Sequence, residues 1–202
     1  KVKYLQYPKY TLFGGERIDN EDSFKFMKMY GSLMESHQKN IYEGFIEKIT
    51  GEESNSINLS NRNIGTQLSN IVYYNEGDDY NFKNNFGQRG FEKTFDVKIS
   101  NKSKKCKYND EDNQILSYEN IKSYSTKIHT ILENMLKHTT EGIIFIYSDY
   151  IFSGILPMAI ALEHIGFDKY SGTNILETPT KIKPIGYNLK PITKENKKKA
   201  KY

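Results

Sequence analysis

Residues 142–167 read GIIFIYSDYIFSGILPMAIALEHIGF, and this stretch decides the fold that the sequence predicts. Residues 143–147 form a continuous apolar run rich in isoleucine and aromatic side chains. Such a run is typical of a strand buried on both faces of a parallel sheet. After a polar turn at residues 148–150, a second apolar stretch at residues 155–165 predicts a helix that ends at Gly166. Strand, turn and helix together predict one α/β unit.

The corner between this strand and this helix is where a ligand is expected. Pro157 has no amide hydrogen and fits only near a helix N-terminus, so we expect the helix to begin close to Ser153. Ligands of open α/β sheets bind beyond the carboxyl ends of the strands, where Ser148, Tyr150 and Ser153 would lie. Free amides and the positive end of the helix dipole favour an anion there. Ser153 has a second, compatible interpretation as a plain N-cap worth roughly 1 kcal/mol.

The same stretch resembles a known protein family. Residues 144–167, with YENIKSYSTKI at residues 118–128 just upstream, are similar to the opening of the second RecA-like lobe in superfamily 2 helicases of large DNA viruses. Members of this family are similar to the poxvirus early transcription factor and to nucleoside triphosphatase I. Weaker matches are MESHQKNIY, QLSNIVYY and FGQRGF. The family pattern usually has a proline soon after the second of these, where this sequence has Tyr74 and Asn75.

The resemblance implies the fold and the domain organisation. It implies an α/β fold with a partial RecA-like parallel sheet and flanking helices, preceded by an irregular α+β connector. Residues 1–115 would be the connector between the two lobes, with a helix near residues 36–49 and polar, asparagine-rich loops. Residues 116–202 would be the N-terminal part of the second RecA-like domain. Gln38 and Tyr42 would then be packing residues near the hinge.

The resemblance also implies a function. The whole protein would be an ATP-dependent helicase or translocase acting in viral transcription, with ATP and Mg²⁺ as cofactors. This piece would contact the backbone of DNA or RNA through the hydroxyls of Ser148 and Ser153. Gly154 would allow close approach of the backbone, and Tyr150 would stack on a base or sugar. The implied partners also include viral RNA polymerase or other virion proteins, and the implied location is the virion or the host cytoplasm.

The residues for nucleotide hydrolysis are not in this sequence. It contains no G-x-x-x-x-G-K-[ST] phosphate loop and no Asp-Glu pair after an apolar strand. The acidic run at residues 110–112 follows no buried strand and predicts an exposed turn. The three arginines, Arg17, Arg62 and Arg89, do not form the arginine motifs of such a site. We therefore assign no catalytic residue and expect no ATP hydrolysis from this chain alone.

Two other functions stay open. The chain can be a non-catalytic RecA-like scaffold, acting as an interaction module of a virion or a transcription complex. It can also be a different doubly wound domain whose ligand crevice uses a similar strand and turn.

Composition sets further bounds on the class of protein. The chain has 202 residues, a net charge of +4 and lysine clusters at residues 102–107 and 194–201, which suit a polyanion partner or simply a solvated surface. The single cysteine, Cys106, excludes an internal disulfide and a cysteine-rich zinc site, and fits a reducing compartment. No apolar run is long enough to cross a bilayer, and no signal peptide is evident. We interpret the chain, which begins at Lys1, as a piece of a longer protein.

Periodicity predicts the remaining elements. An amphipathic helix is expected from Ser36 to Gly51, and a second from residue 117 to residue 138. One strand is expected within FEKTFDVKI (residues 91–99), inside a polar region, residues 50–115, that is not expected to form a compact core by itself. The four histidines have no metal-ligand spacing. Weaker expectations are short strands within residues 1–33, a proline-rich surface insertion after Tyr170, and a last short helix starting at Thr193.

Overall fold

The computed structural model describes residues 30–51, 59–73, 82–100, 103–137, 143–170, 172–177, 185–186, 188–190, 192–193 and 198–202. The chain divides into two compact units, Lys1–Leu33 and Met34–Tyr202. The second unit contains nearly all of the described residues and every helix and strand below. Most of the strands expected within residues 1–33, the prolines of the expected insertion and most of the expected last helix lie outside the described residues.

The fold of the second unit is mixed helix and strand. Six α-helices are described: α1 (Ser36–Gly51), α2 (Leu59–Asn70), α3 (Gly87–Thr94), α4 (Ile121–Tyr124), α5 (Thr126–Lys137) and α6 (Leu156–His164). A 3-10 turn covers Phe82–Asn84, and a wide π-type turn covers Ile151–Ile155. Strands β1 (Phe95–Ser100) and β2 (Ser103–Tyr108) form an antiparallel pair in which Phe95 faces Tyr108.

The described residues form no parallel sheet of the expected RecA-like kind. Their one sheet is the two-stranded antiparallel pair of β1 and β2. Parallel pairing occurs only as isolated bridges, between Asp168 and Lys201 and between Cys106 and Leu176. The predicted combination of helices and strands is therefore present. The parallel sheet that the resemblance implies is not found among the described residues.

The prediction that residues 143–147 form a strand buried on both faces is wrong. The segment is not part of any strand, and Ile143 and Phe145 are 99% and 87% exposed. Within the described part of the chain, no backbone hydrogen bond joins residues 143–147 to another segment. Burial of a central strand needs neighbouring strands at both edges, and the described residues supply neither.

The prediction of an apolar helix after the corner is confirmed. Every residue of α6 from Pro157 to His164 is buried, and Pro157 is its second residue. Gly166 follows with φ +100°, the left-handed conformation that favours glycine at a helix end. None of the described helices, including this nine-residue apolar one, has the length and apolar character needed to cross a membrane.

The helix predicted over residues 117–138 is divided in two. Ser125 has an extended backbone (φ −153°, ψ 95°) and separates α4 from α5. Its hydroxyl accepts a hydrogen bond from the Ile128 amide at 3.1 Å and donates one to the carbonyl oxygen of Asn70. Ser125 is thus the N-cap of α5 and also holds the C-terminal end of α2.

The larger hydrophobic core draws on both halves of the chain. Phe91 and Phe95, from α3 and β1, are each 1% exposed and belong to the same cluster as Leu132 and Ile160. Residues 50–115 therefore contribute large side chains to a shared core, although their polar composition did not predict this. This core therefore contains described residues from both predicted domains, residues 1–115 and residues 116–202.

A smaller core joins the first two helices. As predicted, α1 runs from Ser36 to Gly51, with Ile41 and Phe45 buried, whereas Ile46 is exposed. Further members of this cluster are Leu68, Val72 and Phe82.

Gln38 is the polar link between this smaller core and α5. It is fully buried, and its side-chain amide donates to the carbonyl oxygens of Leu68 (3.0 Å) and Ser69 (3.2 Å). Its side-chain oxygen accepts from the amide (3.0 Å) and the hydroxyl (3.3 Å) of Thr126. All four hydrogen-bonding positions of the side chain are therefore used, as a buried amide requires.

Replacing this glutamine tests the link. Gln38→Leu leaves two carbonyls and one amide buried without partners, so we expect the free energy of unfolding to fall by about 2–3 kcal/mol. Urea denaturation followed by circular dichroism measures the change. The matched control is Gln88→Leu, because Gln88 is exposed and bonds only Glu92 one turn away; its effect should stay within about 0.5 kcal/mol. Equal effects of the two changes would contradict this role.

Candidate nucleic-acid interface

The expected corner is present as a tight polar turn. The Ser148 hydroxyl accepts a hydrogen bond from the Tyr150 amide at 3.2 Å, and the Ile155 amide donates to the Tyr150 carbonyl at 2.9 Å. Asp149 is exposed and accepts from the Tyr147 hydroxyl, a hydrogen bond that raises the pKa of that phenol. Asp149 thus orients a neighbouring side chain, and its charge disfavours phosphate at this point.

Ser153 is not available to a ligand. It is fully buried, and its hydroxyl accepts a hydrogen bond from the Gly87 amide at 2.7 Å and donates one to the side-chain oxygen of Gln67 at 3.1 Å. The predicted contact between Ser153 and phosphate is therefore not possible in this arrangement. The predicted capping of its own helix is also wrong, because the N-cap position of α6 is Ile155.

Ser153 instead caps a distant helix. Gly87 is the first residue of α3, whose own N-cap, Phe86, makes no side-chain hydrogen bond. The first amides of a helix need external acceptors, and the Ser153 hydroxyl supplies one from 66 residues away. The backbone of Ser153 (φ −108°, ψ 25°) departs from helical geometry at this position. The turn between the corner and α6 is thus fixed to α2 and α3.

Gly154 is required for a contact inside the protein. A Cβ atom at this position would lie 2.0 Å from the Ser148 hydroxyl oxygen and 2.9 Å from the Ser148 Cβ. The close approach predicted at Gly154 therefore exists, but the approaching group is Ser148, not a nucleic-acid backbone.

Three of the four predicted contact residues keep some exposure. Ser148, Tyr150 and Gly154 are half-buried, and Asp149 is exposed. Gln88 and Arg89 in the first turn of α3 are also exposed. They follow Gly87, whose amide donates a hydrogen bond to the buried Ser153. A hydroxyl, a phenol ring and a guanidinium group are suited to a phosphate backbone with an adjacent base.

The buried carboxylate of Glu163 has a structural role. It is 1% exposed and accepts hydrogen bonds from the amides of Ile175 (2.6 Å) and Leu176 (2.8 Å) and from the hydroxyl of Tyr202. These donors replace the water that the carboxylate loses on burial. Glu163 therefore holds two later segments against α6.

His164 is a neutral core residue. It is 9% exposed, and its Nε2 lies 2.9 Å from the hydroxyl of Tyr108, which also accepts from the Leu116 amide at 3.3 Å. Burial lowers the pKa of His164 to about 4 and raises that of Tyr108. His164 is therefore uncharged at neutral pH and makes no charge–dipole interaction with the end of α6 there.

The remaining observations concern ligating and charged residues. No group of histidine, cysteine and acidic residues in the described segments is arranged to hold a metal ion. Cys106 is a buried free thiol. Residues 110–112 are exposed, with Glu111 paired to Lys107 at 2.7 Å, as expected for a solvated turn.

The chain was compared with models of protein families, with curated proteins and with solved structures. None of the three comparisons finds a match. The geometry of the corner is therefore the basis for any functional conclusion.

The residues around the corner that sequence reasoning missed are Gln67 and Gly87. Each lies more than sixty positions from Ser153 and belongs to a polar, asparagine-rich region without a chemical motif. The segment FGQRGF, a weak family match, contains the start of α3. No local pattern in the sequence connects it to the corner.

The contact between Gly154 and Ser148 gives a direct test of the corner. Gly154→Ala forces a Cβ against Ser148, so we expect a loss of about 1–3 kcal/mol in the free energy of unfolding. Adding Ser148→Gly removes both clashing atoms and should restore part of the loss, which a double-mutant cycle measures. Strictly additive effects of the two changes would mean that the residues do not touch.

The buried histidine predicts a specific pH dependence. Between the ordinary pKa of histidine, about 6.5, and the folded value of about 4, the unfolded chain binds a proton at His164 that the folded chain does not. Stability from this group is therefore full above pH 6.5 and is lost as the pH falls toward 4. His164→Gln should remove on the order of 3 kcal/mol of this pH-dependent loss.

Denaturant unfolding at pH 7, 5.5 and 4 measures that effect. His129→Gln is the control. His129 is half-buried, stacks on Tyr118 and has a pKa that burial lowers. The same pH dependence in wild type and His164→Gln would contradict the assignment.

Proposed function

We propose that this chain is part of an ATP-dependent nucleic-acid helicase or translocase acting in viral transcription, and that this part contacts the nucleic-acid backbone. The observation that carries the proposal is the order of elements from residue 143 to residue 202. An extended segment leads through a hydroxyl-bearing corner into a buried helix, and the segment after that helix pairs in parallel with residues 198–202. This order supports an α/β unit of the kind found in doubly wound domains, to which the proposed motor domain belongs.

The parallel bridge supports the RecA-like interpretation. The Asp168 amide donates to the Ala200 carbonyl at 3.0 Å, the Tyr202 amide to the Asp168 carbonyl at 3.1 Å, and the Tyr170 amide to the Tyr202 carbonyl at 2.9 Å. Parallel strands need a crossover between them, and here 27 residues lie between the segments 166–170 and 198–202. We propose that residues 143–148, 166–170 and 198–202 occupy strand positions of a RecA-like sheet.

The nucleic-acid contact belongs on the part of the corner that has exposed surface. The Ser148 hydroxyl, which donates to the Tyr150 carbonyl at 3.3 Å within the corner, would turn outward to donate to phosphate, and Tyr150 can stack on a base or sugar. Arg89, exposed in the first turn of α3, is the cation of this proposed contact. Ser153 and Gly154 act behind this surface by fixing its shape. The partner is the backbone of DNA or RNA.

The nucleotide cofactors belong to the full-length protein. The sequence of this chain lacks a phosphate loop, and its described residues hold no candidate metal site, so the residues present do not fit ATP and Mg²⁺. Viral RNA polymerase or other virion proteins are further proposed partners, and the virion or the host cytoplasm is the proposed location.

Fluorescence anisotropy with a labelled single-stranded oligonucleotide tests the contact. Tyr150→Ala combined with Arg89→Ala should weaken binding by about tenfold, because one stacked base and one charged contact are lost. The matched controls are Tyr170→Ala, an exposed tyrosine outside the corner, and Ser153→Ala, which should lower stability with little effect on affinity.

Two outcomes would contradict the proposal. Unchanged affinity in the double variant would remove the corner from the interface. An equal loss in Tyr170→Ala would assign the binding to exposed aromatic residues in general. Repeating the titration at higher salt separates a phosphate contact, which weakens, from stacking, which changes less.

A non-catalytic scaffold or interaction module is the second candidate function. The observation that favours it is the exposed apolar surface of residues 143–147, which lies next to the corner and suits a protein partner. A chain that binds no oligonucleotide at low salt would support this alternative.

A further inference from the structure

The proposed nucleic-acid contact has a carboxylate at its centre. Asp149 is exposed and lies between Ser148 and Tyr150, the two residues proposed to contact a phosphate and a base or sugar. Among the described residues, Asp149 forms no ion pair with a lysine, arginine or histidine. Its negative charge therefore opposes the approach of a phosphate group. A contact made with phosphate groups alone does not explain this carboxylate.

The Tyr147 hydroxyl holds the carboxylate in place. It donates a hydrogen bond to one carboxylate oxygen, Oδ1, and this bond raises the pKa of the phenol. A carboxylate only accepts hydrogen bonds, and it has about four positions for them on its two oxygens. In the described part of the chain, the phenol is the one group that donates to Asp149. The group is thus an oriented, exposed acceptor that can bind a further donor.

We propose that Asp149 accepts a hydrogen bond from a ribose 2′-hydroxyl and that the corner therefore binds RNA in preference to DNA. This inference rests on the proposed nucleic-acid contact and names its substrate class. The 2′-hydroxyl is a donor that RNA has and DNA lacks. In each nucleotide the sugar joins the phosphate to the base. Consecutive Cα atoms are about 3.8 Å apart, so a phosphate at Ser148 and a base at Tyr150 bring the sugar close to Asp149.

The effect of the carboxylate differs between the two nucleic acids. A hydroxyl that donates to a carboxylate makes a charge-assisted hydrogen bond, which is roughly twice as strong as a neutral one. In RNA this bond offsets the repulsion between Asp149 and the phosphates, whereas in DNA the repulsion has no such compensation. Dinucleotide-binding folds use the same chemistry, because an acidic side chain there accepts from the ribose 2′-hydroxyl.

Three oligonucleotides that differ only at the 2′ position test this specificity. They are labelled single strands of uridine, of 2′-deoxyuridine and of 2′-O-methyluridine, and fluorescence anisotropy measures their binding to the full 202-residue chain. The ribose strand should bind about fivefold more tightly than the deoxyribose strand, because it gains one hydrogen bond to a charged acceptor. The 2′-O-methyl strand keeps the oxygen but cannot donate, so it should bind as weakly as the deoxyribose strand.

Two variants locate the preference at the carboxylate. Asp149→Ala removes the acceptor and the charge, so binding of the deoxyribose strand should tighten and the two affinities should agree within about twofold. Tyr147→Phe keeps the ring and releases the carboxylate, so it should lower the ratio of the affinities by about twofold, as expected for a positioning residue. The matched control is Asp112→Ala, which removes an equal charge from the exposed turn at residues 110–112 and should leave the ratio unchanged.

The outcomes distinguish this inference from the proposed contact. Equal affinity of the wild type for the ribose and deoxyribose strands would overturn the role of Asp149 and leave the contact standing. The same holds if the 2′-O-methyl strand binds as tightly as the ribose strand, if the preference persists in Asp149→Ala, or if Asp112→Ala also abolishes it. Failure of the wild type to bind any of the three strands would overturn the proposed contact, and this inference with it.

Discussion

The burial of α6 on all sides is the constraint on which the rest of this structure depends. Eight consecutive residues of that helix are buried, so the surrounding elements must cover every face of it. Side chains from α3, from the hairpin of β1 and β2 and from α5 contribute to the same core. Since a helix of nine residues gains little stability from its own hydrogen bonds, its existence depends on this cover.

Polar side chains fix where the covering elements lie. Gln38 joins α1 and α2 to the start of α5, Ser153 joins the corner to α2 and α3, and Glu163 joins α6 to two later segments. Apolar packing tolerates sliding, whereas a hydrogen bond is lost within about an ångström of displacement. These three residues therefore fix the positions of the helices relative to one another. The hydrophobic core holds the helices together but does not fix these positions.

The elements that could be predicted from the sequence are those whose signal is local. The apolar content of α6, Pro157 near its start and Gly166 after its end are all readable within twenty residues, and the structure agrees with them. The segment FEKTFDVKI shows where local signals mix: Phe91 and Phe95 have helical spacing, whereas Phe95 and Val97 have strand spacing. The structure accordingly ends α3 at Thr94 and begins β1 at Phe95.

The features that could not be predicted depend on distant partners. The burial of residues 143–147 requires neighbouring strands, so a strand-like composition alone did not determine it. The role of Ser153 depends on Gly87, and the break at Ser125 depends on Asn70. Both serines look ordinary in sequence, and each has its partner in a polar region whose helices are short. Of the four predicted site residues at the corner, Ser153 is buried and Gly154 is packed against Ser148, and neither contact can be read from the local sequence.

The wide sequence separation of the polar links has a kinetic consequence. The hydrogen bonds from Thr126 to Gln38, from Tyr73 to Phe152 and from Gly87 to Ser153 span 88, 79 and 66 positions. Contacts of this kind form only after large loops close, so they are late steps of folding. The start of α3 stays without its capping group until the C-terminal half arrives. During synthesis, α1 and α3 therefore lack these hydrogen-bond partners until the C-terminal half has been made.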